Sequence, residues 1–447
     1  MCYLIYLFLS IVLFAGCTAV APPSLDDQLQ TALDAHQITP LDPGPVQDPA
    51  KVALGQALYF DKLLSGNRDI SCATCHHPTL ASGDGLHLSI GTGGTGLGPQ
   101  RILGYRRGFI ARNAPEVFNR GAPQWTTMFW DSRVMLHEDG RFTTPADDQL
   151  PPGLDNVLAA QAMFPVVASA EMRGTYGDLD VYQQTNELGQ YSDEDYEAIW
   201  ASVMARLLAS EDYVTLFAAA YPDVPANELG FEYAANAIAA FEIDAFTLLN
   251  TPWDQYLAGD MAALSDEAKR GAMLFYGEAG CVRCHSGSLM TDQTAHNIAV
   301  PQIGPGKGEE APLDFGRGRE LESQIGRYAF RTPPLRNVAV TAPYMHDGAY
   351  NTLQEAVRHH LDPAEALRNY DETMYLPPDL WGSFQDDDRL LVEMLRTLDP
   401  QVMPQRPLTD AEIADLLAFL ESLTDTAVYN LDYLIPASVP SGLPVSD

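Results

Sequence analysis

Cys72-Ala73-Thr74-Cys75-His76 and Cys281-Val282-Arg283-Cys284-His285 are the two stretches on which the reading of this chain turns. A Cys-x-x-Cys-His run is the attachment pattern of a c-type haem. On a helical turn the two thiols, three residues apart, can form thioether bonds to the vinyl groups of one porphyrin. The histidine that follows swings under the iron as its proximal ligand. Two Cys-x-x-Cys pairs also offer four thiolates, the donor set of a structural zinc site. Zinc needs no histidine directly after each pair, and the pairs lie far apart in sequence. The residues therefore favour two covalent c-type haems over one zinc ion.

The rest of the composition fits that reading. A chain of 447 residues is long enough for two or three domains, each with its own core. Hydrophobic residues make up 46%, ordinary for a globular protein, but the net charge is −34. An acidic balance of this size argues against nucleic acid and favours basic partners. Of the six cysteines, four belong to the haem motifs and the others are Cys2 and Cys17. None remains for a disulfide framework, so the haem attachment itself points to an oxidising compartment.

Tyr3–Phe14 is almost continuously apolar and is followed by Ala15-Gly16-Cys17. This looks like a bacterial lipoprotein signal over residues 1–17, with Cys17 as the lipidated N-terminus of an exported, periplasmic protein. The apolar run is too short to span a bilayer comfortably. One feature departs from the pattern: no Lys or Arg precedes Lys51, so the usual basic leader is missing. Residues 18–48, polar and dotted with proline, suit a tether.

Beyond the tether the patterns are helical. Val52, Leu54, Ala57 and Leu58 lead into the first haem motif. Tyr196, Ile199, Val203 and Leu207 mark a helix within 192–216, and Ala234, Ala237, Ile238, Phe241 and Ala245 another within 227–246. Asn250-Thr251-Pro252 breaks the pattern and sets a domain boundary. Ser265 then caps a further helix, and Thr409-Asp410-Ala411-Glu412 is a capping box opening the last one. The glycine run Gly91–Gly98 has no preceding strand and no helix start behind it, so it reads as a flexible loop near a porphyrin face rather than a phosphate cradle. Gly55-x-x-Leu58-x-Phe60 before the first haem pair is echoed by Gly271-x-x-Leu274-Phe275 before the second, which implies two copies of one helical haem-binding unit. The expected fold is mainly α, with residues 49–250 and 251–425 as two haem domains and 426–447 as an extension that wraps the surface.

These residues resemble the bacterial dihaem cytochrome c peroxidase family, which includes the methylamine-utilisation protein MauG. The likeness is carried by 64–67 with the first haem motif, Arg112-Asn113-Ala114-Pro115, Met128-Phe129-Trp130-Asp131, Leu257-Ala258-Gly259-Asp260, the second haem motif with Ser286-Gly287, and Thr341-Ala342-Pro343-Tyr344. It implies two cytochrome-c-like haem domains packed around a shared interface. On that likeness peroxide is expected to react at the N-terminal haem, ligated by His76. The C-terminal haem, ligated by His285, is expected to pass electrons from a small cytochrome or copper protein, with Trp130 between the two. Gln161, Pro165 and Glu171 match the distal glutamine, proline and glutamate by spacing. A positioned carboxyl is the group needed to move a proton between the two peroxide oxygens. The resemblance further implies a calcium ion held by the Asn113 side chain and the carbonyls of Thr341 and Pro343. Oxygen donors suit such a hard cation.

Two positions depart from the family pattern. The loop histidine that caps the peroxide haem in many members corresponds to Thr92, which implies an open iron, with His87 as a substitute ligand in the same loop; His77 reads as structural. The far ligand of the second haem, methionine in the peroxidases and tyrosine in MauG, falls on His360, with Met345 as its rival and His359 a weaker one. Methionine raises haem potential, so a His285/His360 pair makes this haem easier to oxidise. The expected function is a peroxidase reducing hydrogen peroxide to water. The alternatives are a MauG-like oxidase acting on aromatic residues of a partner protein and a non-enzymatic dihaem electron carrier. Family members are often homodimers.

Overall fold

The computed structural model describes residues 22–446, so the leader expectation, with Cys2 and Cys17, lies outside the described residues. The chain is mostly helical, and its described strands form two small antiparallel sheets. In one, Thr127–Met128, Val134–Leu136 and Phe142–Thr143 run side by side, with Thr127 opposite Met135. In the other, Ala295–His296 pairs with Phe330–Arg331.

Two crossed helix pairs carry the architecture. Pro49–Phe60 packs on Phe231–Phe246, and Asp266–Tyr276 packs on Asp410–Glu421. The glycines of the pseudo-repeat explain the crossings. A Cβ on Gly55 would stand 1.9 Å from the Ala237 carbonyl oxygen, and one on Gly271 would stand 1.9 Å from that of Asp415. At both points a backbone lies directly on a backbone, which only glycine permits. Around the first pair gathers a core that includes Leu54, Leu58, Phe241 and Phe246, and around the second one with Trp253, Phe275, Leu416 and Phe419. Both predicted caps form: Ser265 accepts from the Ala268 amide, and Thr409 and Glu412 make the full capping box.

Four expectations change. Residues 18–48 are not a plain tether, because Leu25–Ala35 is a helix opened by a Ser24/Asp27 capping box. Its Leu29 and Leu33 are buried in the second core, and Asp26 pairs with Lys269 at 2.8 Å. The glycine run is not a loose loop. Buried Arg101 donates to the carbonyls of Ile90, Gly91 and Gly96 and ties it down. The helix expected within 192–216 is two helices, Tyr196–Leu208 and Glu211–Ala220, parted at Ala209-Ser210. The C-terminal extension is more than a surface wrap: Val428, Leu431, Leu434 and Val439 enter the first core. Among the described residues no helix is long and apolar enough to cross a membrane.

Candidate functional site

The first haem motif opens on Ser71 as a short helix, Cys72–Cys75, and His76 follows at its end. His76 Nδ1 faces the Ser82 carbonyl at 3.3 Å, which leaves Nε2 free, and burial pushes the imidazole down to about 4. A neutral ring with Nδ1 engaged by a backbone carbonyl is the form that binds metal through Nε2. Cys72, Cys75 and His76 line a cavity of about 800 Å³. Trp130, Gln161, Pro165 and Glu171 line it as well, so this part of the predicted site is brought together.

Gln161 comes from the helix Val157–Ala162, and Glu171 from a single wide helical turn, Ser169–Arg173. Burial raises the Glu171 carboxyl above its usual range, against the pull of Arg133, Lys307 and Arg112. The residues present fit a haem on two grounds: the motif cysteines and free His76 Nε2 border the cavity, and bordering Arg120 keeps a buried Nη1 without a partner, as a porphyrin carboxylate would require.

Thr92 does not face this cavity. Its hydroxyl donates to Asp69 at 2.8 Å and its amide to the Glu171 carbonyl at 2.8 Å, while Gly93 N–H donates to the other Asp69 oxygen at 2.6 Å. Gly91 lies so close to the Ala170 carbonyl that a Cβ would approach to 1.9 Å. His87 is turned elsewhere, with Nδ1 2.6 Å from the Gly348 carbonyl across the domain interface. Among the described residues lining the cavity, His76 is the only histidine.

The second motif forms a 3₁₀ turn, Cys281–Arg283, with His285 Nδ1 against the Met290 carbonyl at 3.2 Å. His360 lies on the helix Leu353–Leu361, its Nδ1 against the Ala356 carbonyl at 2.8 Å. Both rings therefore keep Nε2 free, and their centroids are 6.2 Å apart. Metal–nitrogen bonds of roughly 2 Å on either side of one iron, plus the depth of each ring, give about that spacing. Burial pushes His285 down to about 4, helped by His360, and lowers His360 as well. His359 has no nitrogen to spare: Nδ1 meets the Tyr350 hydroxyl at 2.9 Å and Nε2 the Ile298 carbonyl at 2.7 Å. Met345 instead borders the small interdomain cavity.

That small cavity, about 70 Å³, is lined by Asn113, Thr341 and Pro343, and by Asp84, which sequence reasoning missed. Asp84 Oδ2 is buried without a partner, and burial pushes the carboxyl up to about 6. Trp130 lines both cavities and donates from Nε1 to the Asn113 carbonyl at 3.0 Å. Pro333, whose carbonyl faces His285, lines the small cavity too. The indole thus stands between the His76 cavity and the neighbourhood of His285. Beside it, buried Asp131 accepts from Arg112 at 2.6 Å, Arg133 at 3.0 Å and Lys307 at 2.7 Å.

The sequence profile of the di-haem cytochrome c peroxidase family matches residues 49–262. The chain is 33% identical over 322 residues to the methylamine utilization protein MauG of Methylorubrum extorquens, covering 71% of this chain and 70% of that protein. It is 31% identical to the cytochrome c551 peroxidase of Pseudomonas aeruginosa, covering 72% and 74%. Among solved structures, a MauG-like protein associated with microbial copper homeostasis superposes with a TM-score of 0.59 at 26% identity, over 88% of this chain and 95% of that one. The diheme peroxidase BthA from Burkholderia thailandensis shares the fold, with a TM-score of 0.58 at 22% identity, over 91% and 93%. The chain belongs to the di-haem cytochrome c peroxidase and MauG family, an oxidoreductase family whose members carry two c-type haems.

Proposed function

We propose that the protein is a periplasmic peroxidase that reduces hydrogen peroxide to water with electrons from a small cytochrome or copper protein. The observation that carries this reading is the pinning of Thr92 and the turning away of His87, which leave the Glu171 side of the large cavity without a second histidine. When bound there, the first haem supplies the iron at which the O–O bond is reduced. Cys72 and Cys75 hold it covalently, and His76 Nε2 ligates it.

Glu171 takes a proton from one peroxide oxygen and delivers it to the other, a service typically worth ~10²–10⁴-fold in rate. Gln161 holds the incoming peroxide by hydrogen bonding, and Pro165 shapes the wall opposite His76. Trp130 carries electrons between the haems. Cys281 and Cys284 anchor the second haem, with His285 and His360 as its two ligands. A calcium ion held by Asn113, Thr341 and Pro343 fits the small cavity, and the unpartnered Asp84 oxygen supplies the negative charge a divalent cation needs. A lipid anchor at Cys17 and a homodimer complete the proposal.

A second reading, a MauG-like oxidase of aromatic residues on a partner protein, draws support from the identity to MauG and from a second haem closed by histidine rather than methionine. The resting ferric protein tests the shared part: one high-spin and one low-spin EPR signal are expected, and two low-spin signals mean an electron carrier instead. Steady-state oxidation of a reduced cytochrome c by peroxide then separates the enzymes. Rapid turnover is the peroxidase outcome. Negligible donor oxidation with a long-lived oxidised state is the MauG-like one.

A further inference from the structure

A line of aromatic side chains leads away from His360, and no role assigned above involves it. His359 and His360 lie edge to face with centroids 6.2 Å apart. The Tyr350 ring follows at 5.3 Å from His359, its hydroxyl 2.9 Å from Nδ1. From Tyr350 the rings of Tyr370 and Tyr375 lie at 5.7 and 5.2 Å, and these two stack on each other at 5.0 Å. Leu376, next in the chain, accepts through its carbonyl from Trp381 Nε1 at 2.9 Å. Trp381 is 51% exposed. A buried phenol thus connects to a surface indole through ring contacts, one peptide unit and one hydrogen bond.

We propose that Tyr350, Tyr370, Tyr375 and Trp381 form a redox relay that draws electrons from an external donor at the surface and delivers them to the second haem. This rests on the peroxidase reading above and names where the donor's electrons enter.

The hydrogen bonding at Tyr350 supports the role. His359 Nε2–H donates to the Ile298 carbonyl at 2.7 Å, which fixes the tautomer and makes Nδ1 an acceptor for the Tyr350 proton. In each of the two one-electron steps that hydrogen peroxide requires, Tyr350 gives one electron to the second haem while its phenolic proton stays in the hydrogen bond to His359 Nδ1. The oxidised ring is refilled by one electron drawn from Trp381 through Tyr375 and Tyr370. Trp381 recovers its electron from the donor. Two donor electrons and two solvent protons convert one peroxide into two waters. The relay itself ends unchanged. Tunnelling falls exponentially with distance, so short steps through the ring contacts, with one step across the Trp381–Leu376 hydrogen bond, outpace a direct jump from the surface.

The holoprotein and its Tyr350→Phe and Trp381→Phe variants test this. With peroxide and no donor, freeze-quenched EPR of the wild type is expected to show a tyrosyl radical that is lost in Tyr350→Phe. Peptide mass spectrometry is expected to find oxygen added at Trp381 in the wild type and not in Tyr350→Phe. Trp381→Phe, at a half-exposed position, is expected to lose peroxide-driven oxidation of reduced cytochrome c while its donor-free reaction with peroxide stays at the wild-type rate. An unchanged radical in Tyr350→Phe, or unchanged cytochrome oxidation in Trp381→Phe, overturns the relay. A wild type whose haem spectrum does not respond to peroxide at all overturns the peroxidase reading instead, and the two failures are distinct. If Tyr350→Phe alters the low-spin signal of the second haem, Tyr375→Phe replaces it, with the same loss of Trp381 oxidation expected.

Discussion

Glu171 sits where three cations pull its carboxyl toward ionisation and burial pushes it the other way, and burial wins. Its raised proton affinity places its titration nearer neutrality, where a group that both takes and returns a proton works best. Glu171→Gln is expected to slow the reaction with peroxide by ~10²–10⁴-fold while leaving both haem spectra intact. In the wild type kcat/KM is expected to fall as the pH drops through the raised Glu171 value. That acid limb should vanish in the variant, and stopped-flow mixing across pH reads both. His360→Met is expected to raise the potential of the second haem and give the spectrum of a methionine-ligated iron, because the thioether favours the reduced state. A redox titration measures it. The trio Gln161, Pro165 and Glu171 was set together by the family resemblance, and the fold lines one cavity with all three. Asp84 was not legible in the sequence. Its neighbours in the small cavity, Asn113 and Thr341, come from distant parts of the chain, and only the folded interface sets them around it.

At the scale of elements, the pseudo-repeat was the most readable part of the sequence. Each copy needs a glycine where two helices cross, so the same spacing recurs before each haem motif. Gly271→Ala would force a Cβ onto the Asp415 carbonyl and the Phe419 Cβ. Such overpacking costs about 1–3 kcal/mol, more than the ~1 kcal/mol that alanine gains in helix propensity. A lower melting temperature of the holoprotein is expected, and Gly55→Ala should behave alike. The helix Leu25–Ala35 escaped sequence reading because prolines crowd both its flanks. Its signal, a capping box at Ser24 and Asp27 followed by Leu29 and Leu33, is only a few residues long. The helix around Val203 was read as one, since Ser210 interrupts the apolar stripe without breaking its period.

Across the whole molecule, the two halves are joined by charge as well as by packing. Burial would push Asp131 up, but Arg112, Arg133 and Lys307 outweigh it and hold the carboxyl well below the usual range. Arg112 also grips Asp314 of the second half at 2.7 Å. Asp131→Asn leaves buried cations without their anion and is expected to cost about 3–5 kcal/mol, measured by chemical denaturation of the holoprotein. Because the folded pKa lies below the unfolded one, this contribution is present above the unfolded value near 4 and is lost as pH falls through the folded value. The wild type should therefore lose this part of its stability progressively as pH falls below about 4, and the variant, which lacks the carboxylate, should show a shallower fall over the same range.

The two ends of the described chain are exchanged between the halves. Leu29 and Leu33, near the start, complete the core around the second haem motif, and Val428 and Leu431, near the end, complete the core around the first. Each half is thus strapped shut by a segment that belongs to the opposite end of the polypeptide. A single proteolytic nick between residues 246 and 252 would leave the fragments clasped together, and the first half closes over its porphyrin only once residues 428–439 have docked.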